Sequence, residues 1–216
     1  MIPQGSPEWE AARLGRVTGS RIADVVAKTK TGWGAMRFNY MADLIAERLT
    51  GVAVEGFKSA AMLHGTDTEG QARAEYEFFR DVEVSGGGFV FHPKIEMAGA
   101  SPDGLVGGDG LVEIKCPTTK THIDTLLGAS VPGDYFKQMQ WQMACTGRAW
   151  CDFVSFDYRM PEDLRLFVRR VGRDDAVIAD LEKEVVVFLA ELADKEARLR
   201  RHGLRADLTA SLEAAA

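Results

Sequence analysis

Three side chains that could together hydrolyse a phosphodiester lie close to one another in the middle of the chain. Asp103 follows Ser-Pro, and Glu113 and Lys115 follow it after nine intervening residues, which gives the pattern P-D-(nine residues)-E-x-K. Carboxylate oxygens bind hard divalent cations, and an ammonium group can orient water and offset negative charge in a transition state. These residue types at this spacing indicate metal-assisted phosphodiester hydrolysis.

A β-hairpin is the element that would bring these three side chains together. Val112 and Ile114 alternate with Glu113 and Lys115, so a strand here would place Glu113 and Lys115 on one face. The glycine-rich segment 107–110 predicts the turn that returns Asp103 beside that face. Each half of the pattern also has an ordinary structural explanation, because Glu-x-Lys occurs on solvated strands and Asp-Gly after proline occurs in turns. Their combination in one hairpin favours a nuclease site.

Composition predicts one globular domain. The chain has 216 residues, of which 46% are hydrophobic and 27% charged, values typical of a protein with a substantial core. We expect the domain to occupy residues 1–204 and residues 205–216 to form a frayed C-terminal tail. The apolar runs are too short to span a bilayer, and no basic segment followed by an apolar one opens the chain. These features predict a cytoplasmic protein that does not enter a membrane.

Cysteine count and net charge restrict the function further. Three cysteines fit neither paired disulfides nor a four-ligand metal site, so we expect reduced thiols in the core. The net charge of −6 argues against a simple nucleic-acid binder, which is usually basic. A protein whose phosphate contacts are confined to one groove is still compatible with this charge.

Hydrophobic periodicity predicts an α/β fold with a mixed central sheet flanked by helices. Ser6 and Ser20 are expected to cap the first two helices, and Gly51 and Gly203 to end the third and the last. The predicted helices span about 7–15, 20–26, 36–49, 59–79, 120–127, 135–145 and 176–203. The predicted strands span about 82–84, 89–91, 95–98, 104–106, 111–115, 149–156 and 164–171.

Further polar residues could belong to the same site. Glu69, on the helix before the strands, could supply a third carboxylate or could be an ordinary solvated glutamate. Gln138 and Gln142 share one helical face by their i, i+4 spacing, and this face could bind phosphate or base edges or be merely polar. The segment 12–20 combines Arg13 with hydroxyls and a helix start, which is typical of an anion site.

Several motifs follow one another in the order seen in a known family. They are Arg-Leu-Gly-x-Val-Thr-Gly-Ser, Leu-Thr-Gly-Val-Ala, Gly-x-x-x-Glu, Ala-Ser-Pro-Asp-Gly-Leu, Glu-Ile-Lys-Cys-Pro and Gln-Met-Gln, between Trp9 and Asp157. In these motifs the chain resembles the phage λ-exonuclease family of recombination nucleases, the YqaJ-like viral recombinases, within the PD-(D/E)xK superfamily. The resemblance implies a restriction-endonuclease-like core.

The resemblance also implies an activity. Enzymes of this family degrade one strand of linear double-stranded DNA in the 5′→3′ direction from a 5′-phosphorylated end, and leave 3′ overhangs for recombination by strand annealing. The implied cofactor is Mg²⁺, two ions per site, with Mn²⁺ as a substitute. The implied partners are double-stranded DNA ends, two further copies of the chain in a ring-shaped homotrimer, and a single-strand annealing protein.

Site residues follow from the resemblance by motif. Asp103, Glu113, the Ile114 carbonyl and Glu69 become metal ligands, and Lys115 positions or activates the attacking water. The pocket for the 5′-phosphate becomes Arg13, Ser20, Lys30, Ser101 and Gln138, and Met62 becomes an apolar wedge that helps part the terminal base pairs. Lys30 departs from the expected arginine, and a lysine cannot make a planar bidentate contact.

Two other functions are compatible with the same residues. The first is a PD-(D/E)xK endonuclease of the restriction or repair type, which would cut circular DNA. The second is a DNA-end-binding recombination protein without catalysis, which the presence of Asp103, Glu113 and Lys115 disfavours.

Overall fold

The computed structural model describes the backbone of residues 1–54 and 60–214 and the side chains of residues 1–54 and 68–203. The helices are α1 (Pro7–Arg13), α2 (Ile22–Val25), α3 (Ala35–Thr50), α4 (Ala60–Arg80), α5 (Thr119–Gly128), α6 (Gly133–Thr146) and α7 (Asp175–Ala214). The strands are β1 (Ile2–Pro3), β2 (Val17–Thr18), β3 (Lys28–Thr29), β4 (Gly32–Trp33), β5 (Val84–Gly86), β6 (Gly88–Phe91), β7 (Ala98–Ala100), β8 (Gly104–Val106), β9 (Gly110–Lys115), β10 (Trp150–Phe156) and β11 (Leu166–Gly172). The predicted α/β class is confirmed.

The main sheet has the strand order β11-β10-β9-β8-β5. Strand β9 lies at its centre, parallel to β10 and antiparallel to β8, so the predicted mixed sheet is confirmed. Val112 and Ile114 of β9 pack with α4, whereas Leu111 of the same strand packs with Met139 and Met143 of α6. Successive residues of β9 therefore face different helices, as the period of a strand requires.

A smaller sheet of order β1-β6-β7-β2 joins the first helices to the main sheet. Its strands pack with α2, α3, α6 and α7 in a core that contains Val17, Ala100, Trp141 and Phe188. The predicted strand over 95–98 is wrong in position. Ile95 instead accepts a hydrogen bond from the Ala98 N–H at 3.1 Å, which closes a turn, and the strand begins only at Ala98.

Local signals at helix ends predict some boundaries and miss others. The Ser6 hydroxyl accepts a hydrogen bond from the Trp9 N–H at 3.1 Å, and Gly51 ends α3 with a left-handed φ of 71°, both as predicted. Ser20 does not cap a helix, because it lies inside a 3₁₀ turn over Gly19–Arg21. Gly203 does not end the last helix, which continues to Ala214. The fraying of residues 205–216 stays a prediction.

No helix in the described part of the chain is long and apolar enough to cross a membrane. The three cysteines, Cys116, Cys145 and Cys151, are free and buried, as predicted. Burial raises the pKa of the Cys116 thiol to about 12 and also raises the pKa values of Cys145 and Cys151.

The buried thiols should be unreactive in the native protein. Because thiolate is the reactive species and burial disfavours it, we expect no stoichiometric reaction with a disulfide reagent at pH 8. All three thiols should react after denaturation in guanidinium chloride. The absorbance of the thiolate released from the reagent measures the reaction of the native and of the denatured protein. Rapid labelling of the folded protein would contradict the buried placement.

A buried carboxylate also joins α4 to the main sheet. The fully buried Asp152 of β10 accepts hydrogen bonds from the Tyr76 hydroxyl at 2.9 Å and from two guanidinium nitrogens of Arg170 at 2.8 and 2.9 Å. Arg80 lies 3.4 Å from the same carboxylate. The donors therefore balance its negative charge, which makes this cluster structural.

Replacing this carboxylate should destabilise the fold. Asp152→Ala leaves the buried Tyr76 hydroxyl without an acceptor, which lowers the free energy of unfolding by about 1–3 kcal/mol. Urea unfolding followed by circular dichroism measures the change. In a Tyr76→Phe background the same substitution should cost less, since the orphaned hydroxyl is gone. Equal costs in both backgrounds would exclude this coupling.

Candidate active site

The predicted hairpin consists of β8 and β9. Gly104 lies opposite Val112 and Val106 opposite Gly110, and the turn between the strands contains Gly107 with φ 54°. Beyond the last pair, the Ile114 N–H donates a hydrogen bond of 2.7 Å to Oδ2 of Asp103. The Asp103 carboxylate therefore lies against the end of β9 that carries Glu113, as the sequence predicts.

Glu113 is fully buried on the face of β9 that packs against α6. Its Oε1 accepts a hydrogen bond of 2.7 Å from Nε2 of Gln138, and its Oε2 accepts one of 2.5 Å from Nε2 of Gln142. Nζ of Lys115 forms an ion pair with the same Oε1, so the predicted common face for Glu113 and Lys115 is confirmed. These donors stabilise a buried carboxylate that would otherwise be expensive to desolvate.

The charges at this site are not balanced. Burial and the neighbouring Glu113 raise the pKa of Asp103 well above its usual value, although Lys115 and the Ile114 N–H act in the opposite direction. Burial lowers the pKa of Lys115, but Glu113 and Asp103 raise it by more, so its pKa lies above the usual value and the ammonium is charged at neutral pH. One ammonium thus faces two carboxylates, and an added cation would relieve their repulsion.

Asp152 shows what a purely structural carboxylate in this fold looks like. It has a bidentate arginine, a second arginine and a tyrosine hydroxyl as partners. Asp157 is similar, since hydrogen bonds from Arg159 and Thr119 outweigh burial and lower its pKa to about 2. The pair of Asp103 and Glu113 differs from both. Its oxygen donors and surplus negative charge fit a hard divalent cation.

Glu69 lies half-buried on α4, the helix that packs on the other face of the sheet. Its charge acts on Asp103 and contributes to the raised pKa of that residue. Among the described side chains, however, no three His, Cys, Asp or Glu residues are grouped so that they could hold a metal ion. The ligand roles of Glu69 and of the Ile114 carbonyl therefore stay predictions.

Two residues of the predicted phosphate pocket are in direct contact. The Ser101 hydroxyl accepts hydrogen bonds from Nη1 of Arg13 at 3.2 Å and from Nε1 of Trp9 at 3.0 Å. The Arg13 guanidinium lies 4.3 Å from the centre of the Trp9 ring, and no carboxylate of the described residues forms an ion pair with it. Ser101 precedes Asp103 by two residues, so an available cation lies next to the carboxylate pair.

The other predicted pocket residues are placed less closely. Ser20 is exposed, with its hydroxyl 3.4 Å from that of Thr18. Lys30 is exposed in the turn between β3 and β4 and contacts none of the other predicted pocket residues that the structure describes. Gln138 binds Glu113 rather than the Arg13–Ser101 pair. Met62 lies outside the residues whose side chains the structure describes. The phosphate roles of these residues stay predictions.

Three contacts of the site are absent from the sequence predictions. Gln142 binds Glu113, although its shared face with Gln138 at i, i+4 was a usable signal. Nη2 of Arg73, one turn after Glu69 on α4, donates to the Asp103 carbonyl at 2.6 Å. Trp9 supports Ser101, and nothing in the local sequence indicates this long-range contact.

Known proteins share this fold and sequence. An alkaline exonuclease from Laribacter hongkongensis is 52% identical to the chain with a TM-score of 0.87, and the match covers 93% of this chain and 99% of that one. A phage-related exonuclease from Haemophilus somnus 129PT is 16% identical with a TM-score of 0.65, over 85% of this chain and 96% of that one, which shows the fold alone. No curated protein matches the chain significantly. Residues 8–149 match the YqaJ-like viral recombinase domain, and the chain therefore belongs to the YqaJ-like viral recombinase family.

Proposed function

We propose that this chain is a Mg²⁺-dependent 5′→3′ exonuclease of the PD-(D/E)xK superfamily. It degrades one strand of linear double-stranded DNA from a 5′-phosphorylated end and leaves a 3′ overhang for recombination by strand annealing. The observation that carries this proposal is the meeting of Asp103, Glu113 and Lys115 at one end of β9, beside the Arg13–Ser101 contact. Membership of the recombinase family supports the same conclusion.

Metal binding would involve the carboxylates on the hairpin. Asp103 and Glu113 would hold Mg²⁺, with the Ile114 carbonyl and Glu69 as further ligands, and Mn²⁺ could replace it. A bound ion polarises the phosphate and lowers the pKa of water. Burial, and after it the neighbouring Glu113, raises the pKa of Asp103, which supports this assignment because a bound cation would stabilise the charged carboxylate that these surroundings disfavour.

Lys115 would act on water and on charge. Its ammonium is held against Glu113 and lies 5.1 Å from the centre of the Tyr135 ring, so its position is fixed by two neighbours. From there it can orient the attacking water by hydrogen bonding and stabilise negative charge that develops on the phosphate.

Recognition of the DNA end would involve Arg13, Ser20, Ser101 and Gln138, with a weaker contribution from Lys30. The Arg13 guanidinium has N–H donors in a planar fork, which suits a terminal phosphate. Because Ser101 and Asp103 lie on the same short segment, an end phosphate at Arg13 would be held close to the hydrolytic residues. This proximity favours cleavage near a 5′ end over cleavage within a duplex.

Relatives support the substrate class. The enzyme from Laribacter hongkongensis is described as an alkaline exonuclease, and it has also been solved in complex with dAMP. A deoxynucleoside monophosphate is the product that an exonuclease acting on DNA releases. Family membership supports three further features of the proposed function. They are a homotrimeric ring, two metal ions per site and a single-strand annealing partner.

A digestion assay tests the function. With Mg²⁺, the purified protein should degrade linear duplex with a 5′-phosphate faster than the same duplex with a 5′-hydroxyl, because only the phosphate can pair with Arg13. Closed circular DNA and reactions with chelator should stay intact. Gel analysis of strand-specific labels measures polarity. Linearised circles would indicate an endonuclease instead, and intact linear DNA would indicate a protein without catalysis.

Substitutions at the site should separate metal binding from catalysis. Asp103→Ala should abolish Mg²⁺-dependent digestion, because it removes a proposed ligand. Lys115→Ala should leave metal and DNA binding largely intact and reduce the single-turnover rate by roughly 10²–10⁴-fold, the usual contribution of acid–base or electrostatic catalysis. Calorimetry measures metal binding, and rapid-quench kinetics measure the single-turnover rate. Loss of metal binding in Lys115→Ala would make that residue structural.

A further inference from the structure

Two glutamines on α6 are fully buried but serve different parts of the molecule. Nε2 of Gln142 donates 2.5 Å to Oε2 of Glu113 and lies 3.5 Å from the carbonyl oxygen of Ser101. Nε2 of Gln140 donates to the Gly172 carbonyl at 2.9 Å, and its Oε1 accepts from the Asp174 N–H at 2.9 Å. Gln140 therefore joins the end of β11 to the start of α7, whereas Gln142 contacts the catalytic hairpin.

The orientation of the Gln142 amide is fixed by its neighbours. Both neighbours of Nε2 are acceptors, a carboxylate oxygen and a carbonyl oxygen, so the opposite orientation would set Oε1 against two oxygens. Oε1 itself is buried and has no protein partner. An acceptor left in this way usually binds ordered water, and a hydrated cation beside Glu113 would supply such water.

The donors around Glu113 leave one acceptor position open. A carboxylate offers about four lone-pair directions, two on each oxygen. Gln138 and Lys115 occupy those of Oε1, and Gln142 occupies one on Oε2. The remaining direction belongs to Oε2, the oxygen whose position Gln142 sets. The cation that the hairpin is expected to bind would approach this lone pair.

We propose that Gln142 is a positioning residue for the metal ligand Glu113, and that it presents Oε2 to the cation while tying it to the segment that carries Ser101. This inference rests on the proposed metal-dependent function. Side chains that hydrogen-bond to a metal ligand, without contacting the metal themselves, typically contribute about 10–100-fold to metal affinity or activity. Gln142 acts through Glu113 and contacts neither DNA nor the cation directly.

Matched variants of the full chain test the assignment. Gln142→Met keeps the volume and removes the donor, and Gln140→Met does the same two residues away on the other face of α6. Mn²⁺ binding, followed by the electron paramagnetic resonance signal of the free ion, needs no DNA and no turnover. We expect Gln142→Met to weaken binding about 10- to 100-fold. Gln140→Met should lower the melting temperature and leave the Kd within about twofold.

Each outcome of the comparison is decisive. An unchanged Kd in Gln142→Met would overturn the assignment, and so would an equal loss in both variants, since the effect would then come from general damage to α6. Gln142→His retains an N–H donor, and recovery of part of the affinity would support positioning. Absence of Mn²⁺ binding by the unaltered protein would instead refute the metal-dependent function itself, together with this inference.

Discussion

The structure around the site depends on keeping a charged carboxylate inside the protein. Glu113 lies on the central strand of the main sheet with no exposure to solvent, and transferring an isolated carboxylate to such a place costs several kcal/mol. Two glutamine amides and one ammonium offset this cost. The amides can reach both carboxylate oxygens because they lie one helical turn apart on α6. The packing of α6 against β9 is thus a condition for the proposed chemistry as well as for the core.

This requirement explains how the two faces of β9 are used. The face toward α4 is apolar at Val112 and Ile114, whereas the face toward α6 changes from apolar at Leu111 to charged at Glu113 and Lys115. The charged residues of this face therefore lie at the C-terminal end of β9, where the Asp103 carboxylate also contacts the strand. Carboxylates elsewhere in the sheet, such as Asp152, are neutralised by arginine. The pair of Asp103 and Glu113 at the end of β9 differs from Asp152, because its single ammonium leaves surplus negative charge.

Features that depend on local periodicity could be predicted from the sequence, whereas features that depend on tertiary contacts could not. Alternation along β9 and the glycine-rich turn were sufficient for the hairpin, and i, i+4 spacing was sufficient for the shared face of Gln138 and Gln142. Ser20 looked like a helix cap, but it lies inside a 3₁₀ turn over Gly19–Arg21, where a side chain on residue 19 would be in tight contact with Ala100. Gly203 looked like a helix end, yet a glycine within a helix costs only about 1 kcal/mol. Contacts such as Trp9 with Ser101 join distant segments and leave no local pattern.

The placement of charge also reconciles an acidic protein with a DNA substrate. A net charge of −6 repels a polyanion at long range, so binding must rely on cations that no carboxylate already neutralises. Many arginines are unavailable in this sense, because they pair with Asp or Glu, as Arg170 does with Asp152. Arg13 lacks such a partner among the described residues and lies beside the hairpin. Arg13 could therefore attract a phosphate close to Asp103, and the net negative charge of the chain would disfavour unproductive binding elsewhere.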